Sequence, residues 1–194
     1  MRILHLLIIV SIGCTNQHKP TTDEVTKQAM IEGDKISLAA QAALGSQLKN
    51  AIMEGGPVHA VQFCNTAAYP ILDTLKTDMD ITIRRASLKV RNPKDEPTAI
   101  ERKILEKYAG QLKNGDQMDP VVEVLNDKQV LYAKPIMLNN PMCLNCHGQV
   151  GTQVSDETYG LIKNLYPQDN AVNHKMGDLR GIWSITFDRE ELAE

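Results

Sequence analysis

The chain predicts an α+β fold, with helices first and an antiparallel sheet later. Three observations carry that prediction. Ile36, Ala40, Leu44, Leu48 and Ile52 recur at four-residue steps, the stripe of an amphipathic helix. Two β-forming runs, Val121 to Leu125 and Val130 to Met137, flank Asn126-Asp127-Lys128-Gln129, as in a hairpin. The late run Ile182-Trp183-Ser184-Ile185-Thr186-Phe187 consists mostly of strand formers.

The elements follow in order. Met1-Arg2, an apolar run from Ile3 to Val10 and the small residues before Cys14 describe a secretory signal too short to span a membrane. Gly13-Cys14 resembles a bacterial lipoprotein box, with Cys14 acylated after removal of residues 1–13, although Ser11 stands where Leu or Val is usual. Ordinary signal cleavage is the alternative. Several acyl chains would hold the protein at a membrane, since one chain binds only marginally. Residues 14–26 read as a polar, flexible tether, and residues 27–194 as one domain.

Gly55-Gly56-Pro57 ends the first helix, and Val58, Val61, Cys64, Ala68, Leu72 and Leu75 fall within one arc of a second. Pro70 should kink or break that helix near Tyr69. Ile81 to Val90 reads as a strand closed by Asn92-Pro93. A third helix opens at Pro97, carries Ile100, Ile104, Tyr108 and Leu112, and closes at Asn114-Gly115. After the hairpin, a short helix covers Glu157 to Leu165, and Leu179 to Phe187 forms the last strand. With only eight aromatics in 194 residues, aliphatic packing must supply most of the interior.

Losing residues 1–13 leaves 20 basic against 24 acidic residues, a net charge near −4. No clustered basic surface marks a nucleic-acid binder. The chemistry concentrates instead in Cys143-Leu144-Asn145-Cys146-His147. C-x-x-C-H is the attachment signature of one covalent haem c: two thiols on one turn add across the vinyl groups, and the adjacent His lies under the iron. Half of a zinc site or a thioredoxin-like C-x-x-C are the alternatives. The first lacks a second Cys/His pair at ligand spacing, and the second lacks a βαβ context.

If Cys14 carries lipid and Cys143 and Cys146 carry haem, Cys64 is left over. It points to the apolar side of its helix, either as a second iron ligand or as a buried structural thiol. His174, Met137, Met142 and Met176 are rival distal ligands. His59 lies about 140° round the helix from Cys64 and should face solvent, and His18 falls in the tether. In the basic run, strand alternation sends Arg85, Lys89 and Arg91 to one face and leaves Arg84 as the odd charge on the other. Arg84 and Arg180 are therefore candidates to pair with haem propionates, solvated surface charge being the alternative.

His59-Ala-Val-Gln-Phe-Cys-Asn65, Arg84-Arg-Ala-Ser-Leu-Lys-Val-Arg-Asn-Pro93, the C-x-x-C-H and Gly177-Asp-Leu-Arg-Gly181 occur in this order. Together they resemble the exported single-domain haem c proteins with a PAS-like fold, across roughly residues 30–190. Asn173-His174 departs from that pattern. The resemblance implies an antiparallel PAS-like sheet with long N-terminal helices, and iron held by His147 and Cys64. It also implies one-electron transfer or redox sensing, with a thiolate stabilising ferric iron. A peroxidase-like enzyme or a gas sensor with an open or exchangeable distal site is the alternative function. A six-coordinate His/Cys iron has no free position, so no enzymatic activity is expected. The chain contains no kinase, chemoreceptor or DNA-binding segment, so a sensor would act on a separate redox partner.

Overall fold

The computed structural model describes residues 21–75 and 81–193. Residues 1–20, with the expected signal, Cys14 and His18, lie outside them. Thr21 begins the first helix through a capping box: its hydroxyl accepts from the Glu24 N–H, and the Glu24 carboxylate accepts from the Thr21 N–H. The helix, α1, runs over Thr22–Asp73. Residues 22–26, expected in the tether, are thus its first turn. Val25 and Ala29 carry the apolar stripe backwards into the core, two residues too few to register as a period.

The expected stop at Gly55-Gly56-Pro57 is a sharp kink within α1. Gly56 has φ 71° and ψ −169°, a conformation open essentially to glycine alone, and Pro57 restarts the helix with φ already set. Pro70, in contrast, does not break the helix, which continues to Asp73.

Four strands follow, β1 (Ile81–Ala86), β2 (Val121–Val124), β3 (Gln129–Met137) and β4 (Leu179–Asp188), all antiparallel in the order β1-β4-β3-β2. The hairpin β2–β3 pairs Val124 with Val130 around the predicted turn, where Asn126 accepts from the N–H groups of Lys128 and Gln129. β1 ends at Ala86, short of Val90, because Ser87 turns to donate its N–H to the Asp95 carbonyl.

Alternation divides the sheet into two apolar faces. Ile81, Ile83, Val130, Tyr132, Trp183, Ile185 and Phe187 pack under α1. Ala86, Leu131, Ala133 and Ile182 pack under α2 (Ala99–Asn114), against its Ile104, Leu105 and Tyr108. Thr98 and Glu101 form the capping box of α2, and Gly115 closes it with φ 76°. Between β3 and β4 lie the one-turn α3 (Leu144–His147) and α4 (Asp156–Leu165). Ile162 of α4 packs on Val61 in the second half of α1. The fold is therefore α+β, a four-stranded antiparallel sheet with a long N-terminal helix, as the sequence predicts. No described helix is long and apolar enough to cross a membrane.

Candidate functional site

The stripe of α1 outruns the sheet it covers. Ile36 and Ala40 are core, but Leu44, Leu48 and Ile52 remain half-buried and form one wall of a cavity of about 240 Å³. The kink at Gly55 and Gly56 brings the second half of the helix round as another wall, through Val61, Cys64 and Ala68. The ends of β1, β3 and β4 supply Arg85, Ile136, Gly181 and Trp183. Gly181 permits the closest approach in this rim, since a Cβ there would run into the Ala86 carbonyl oxygen. Cys143, Cys146 and His147 close the remaining side.

His147 is anchored from behind. Its Nδ1 lies 2.7 Å from the Ala171 carbonyl, which selects the Nδ1–H tautomer and leaves Nε2 as the basic nitrogen. Burial, then the charges of Arg180 and Arg91, push its pKa well below the usual imidazole value, so the ring is neutral. Arg91 organises the same loop. Its Nε donates to Asp169 Oδ1 at 2.8 Å, and its Nη2 donates to the Cys146 carbonyl at 2.7 Å and the Ala171 carbonyl at 3.4 Å. The Asp169 side chain is fully buried, and its Oδ1 also accepts from the Ala171 N–H.

Cys64, Cys143 and Cys146 are all free thiols. Burial raises all three pKa values, Cys146 to about 11, while the charges of Arg85 and Arg91 partly oppose the rise at Cys64. Among the described residues no group of three or more His, Cys, Asp or Glu side chains is placed to hold a bare metal ion. Two thiols on one turn, a neutral imidazole with a free Nε2 and a third thiol on the facing helix are the donor set that could hold a covalent haem.

Three guanidiniums line this cavity, from Arg85, Arg91 and Arg180. Arg180 donates through Nη1 only to neutral oxygens, Ser87 Oγ and the Lys89 carbonyl. Burial, then the neighbouring charge of Arg91, lowers its pKa to about 10. The Nε of Arg85 is buried without a partner, and its nearest carboxylate, Asp95, lies 4.0 Å from Nη2. Anionic groups entering the cavity would find unmet donors there.

The structure thus brings together Cys64, Cys143, Cys146, His147 and Arg180, but not Arg84. Arg84 lies on the α2 face of the sheet, where it pairs with the buried Glu101 at 2.5 Å and donates to the carbonyls of Lys94 and Glu96. Arg84 and Arg85 take opposite faces as expected, but β1 ends at Ala86, so Lys89 and Arg91 lie beyond the strand: Arg91 joins Arg85 at this cavity, and Lys89 lines a neighbouring one. Sequence reasoning missed Arg85 because the occupant of a strand face depends on which helix covers it, and Arg91 because it lies past the strand end, where tertiary contacts set the path of the chain. His59 is exposed, as its helical angle predicts. Met137 and Met142 line the cavity, Met176 is 44% exposed, and His174 lines a neighbouring cavity.

The Tll0287-like family profile matches residues 16–187, a span that includes both cavity-facing helix halves, the basic run, the C-x-x-C-H and the final strand. The fold resembles the crystal structure of the cyanobacterial heme-protein Tll0287, with a TM-score of 0.53 and 19% identity over 87% of this chain and 97% of that one. Among curated proteins none matches. Since the profile covers nearly the whole chain and the fold agrees with it, this protein belongs to the Tll0287-like family.

Proposed function

We propose that this chain is an exported c-type haem protein that transfers single electrons or senses redox state from the periplasm. One haem c would fill the cavity, held through Cys143 and Cys146, with His147 and Cys64 as axial ligands. The carrying observation is that the cavity is lined by the C-x-x-C-H and Cys64 together, with His147 Nδ1 fixed on the Ala171 carbonyl. A ligating histidine characteristically donates its other ring N–H in this way. The family relation and the fold of a solved heme-protein support the same cofactor.

Each residue then has a stated task. Cys143 and Cys146 would hold the haem covalently, each thiol adding sulfur to one vinyl carbon and hydrogen to the other, so that attachment would need no electron. Haem iron, when bound, supplies the one-electron couple. Cys64 as thiolate would put negative charge beside the iron and favour its ferric form. Its thiol pKa, raised by burial, means that ligation must displace the proton, and loss of the bond on reduction would return it. Arg85, Arg91 and Arg180 neutralise the propionates, in place of the Arg84 expected from the sequence. With His147 and Cys64 both holding the iron, no position would be left open, so peroxidase activity is not part of this reading. The sheet and its long helix suit a PAS-like domain. Residues 1–13 would be the signal and Cys14 the lipid anchor of a periplasmic lipoprotein without nucleic-acid partners.

Electron paramagnetic resonance of the ferric protein beside Cys64→Ser tests the ligation. The expected spectrum is a compact low-spin thiolate signal that disappears in the variant. An unchanged wide-spread signal would return Cys64 to the core and move the assignment to Met137 or Met142. A high-spin signal from the unmodified protein would favour the enzyme or gas-sensor reading.

A further inference from the structure

Three stretches of the sequence, residues 36–48, 55–72 and 135–155, contain no Asp, Glu, Lys or Arg, in a chain of which 23% is charged. All three wall the cavity that holds Cys64 and the C-x-x-C-H. The first does so through Gln41, Gly45 and Leu48, the second through Phe63 and Cys64, and the third through Met142 and Cys143. Burial does not account for the missing charge, because Gln41, Asn65, Asn139 and Asn140 are exposed. Lys, Glu, Arg and Asp are the residues ordinarily found at such positions. Apolar side chains accompany these amides, with Leu38 55% and Met53 67% exposed.

The cavity reaches the surface along this rim, since Gln41 both lines it and is exposed. The charged residues of the lining, Arg85, Arg91, Asp95 and Arg180, are buried or half-buried. Lys49 and Glu54, the charges between the first two stretches, have opposite signs, and Glu54 lies 3.5 Å from His59. The rim therefore has little field of its own, although the chain has a net charge of −3. Depletion of Lys, Glu and Asp, with Met enriched, is the composition of the core of a protein interface.

We propose that this uncharged rim is the electron-transfer surface, and that it takes a redox protein whose own docking face is uncharged. The inference rests on the haem reading and adds where the electron leaves and what kind of surface meets it. A charged docking face would lose hydration here without finding an opposite charge. Encounter at such a rim is unsteered, at about 10⁵–10⁶ M⁻¹s⁻¹, and indifferent to salt.

Stopped-flow oxidation of the reduced holoprotein by ferricyanide, an anion, and by tris(phenanthroline)cobalt(III), a cation, tests this. In each case one electron leaves the ferrous haem and reduces the complex, with no bond formed between them. Over ionic strengths of roughly 10–500 mM both rates should change less than about twofold. Rates that follow the net charge, changing about tenfold or more and in opposite directions for the two ions, would overturn the proposal. Ala42→Lys and Asn139→Lys, at exposed positions beside the lining residues Gln41 and Leu138, should each speed ferricyanide and slow the cobalt complex about threefold at low salt only. Lys107→Gln, at an exposed position of α2, should change neither rate by more than about 1.5-fold. A larger response there than at the rim would overturn the proposal too. The amide resonances of the reduced protein, titrated with redox-inert hexacyanocobaltate(III) and hexaamminecobalt(III), give a readout without electron transfer. Those of Gln41, Asn65 and Asn139 should not shift with either ion, and a saturable shift there would also overturn the uncharged rim. The pyridine haemochrome spectrum reports bound haem independently, so failure of this proposal and failure of the haem reading are distinguishable.

Discussion

At Arg91 one guanidinium ties together the segment after β1, the carbonyl of Cys146, the buried carboxylate of Asp169 and the carbonyl that orients His147. Its side chain is 12% exposed and that of Asp169 not at all, so removing the cation strands a buried charge. Arg91→Ala should cost about 3–5 kcal/mol in urea unfolding, with Arg91→Lys between it and the unmodified protein because an ammonium cannot reproduce the fork. Arg84 and Glu101 form the comparable pair on the opposite face. Burial would raise the Glu101 pKa, but hydrogen bonds with Ser184 and Thr98 and the charge of Arg84 outweigh it, so the folded value lies below the ordinary 4.5. Its contribution is complete above that pH and is lost as the pH falls through the folded value. Glu101→Gln should therefore flatten the acid limb of stability against pH, as measured by urea midpoints from pH 3 to 6. Arg84→Ala should lower stability and, on the proposed reading, leave the haem spectrum unaltered. The charge pattern of this strand was legible in the sequence, but its partners were not, because Glu101 reaches Arg84 only through the packing of α2 on the sheet.

At the scale of elements, the kink in α1 decides whether there is a cavity. A straight helix would carry Leu44, Leu48 and Ile52 along one line and Cys64 away from them, whereas the turn at Gly56 sets both halves round one space. Gly56→Ala should cost about 1–3 kcal/mol, read as a lowered Tm, since a Cβ is strained at that backbone conformation. It should also disturb the Cys64-dependent resonance signal more than the circular dichroism of the sheet. Punctuation was well read: Gly55-Gly56-Pro57, Asn114-Gly115 and the Asn126 turn all fall where local chemistry puts them. The start of α1 was misread. Its capping box, Thr21 with Glu24, was present in the sequence, but the apolar positions Val25 and Ala29 are too few to show a period. Pro70 was overread, since the helix continues three residues past it to Asp73.

For the molecule as a whole, the open end of the sheet is left uncovered by the core, and the cavity occupies it. On the proposed reading, that space is filled from both sides by protein ligands. The intact ferric protein should then turn over hydrogen peroxide no faster than free haem, and reduced Cys64→Ala should bind carbon monoxide where the unmodified protein binds it weakly or slowly. Peroxidase assays and carbon monoxide difference spectra measure these two outcomes. Rapid turnover by the intact protein would sink the six-coordinate assignment.

The amino-acid sequence by itself determined the α+β order of elements, their punctuation and the C-x-x-C-H turn, because each depends on residues within a few positions of one another. It also singled out Cys64, whose helical angle points it inward. Only the tertiary structure decided which charges meet the cavity, Arg85 and Arg91 in place of Arg84, and that His174 belongs to a different one. Alternation separates the two faces of a strand but does not say which helix, or which space, each face will meet.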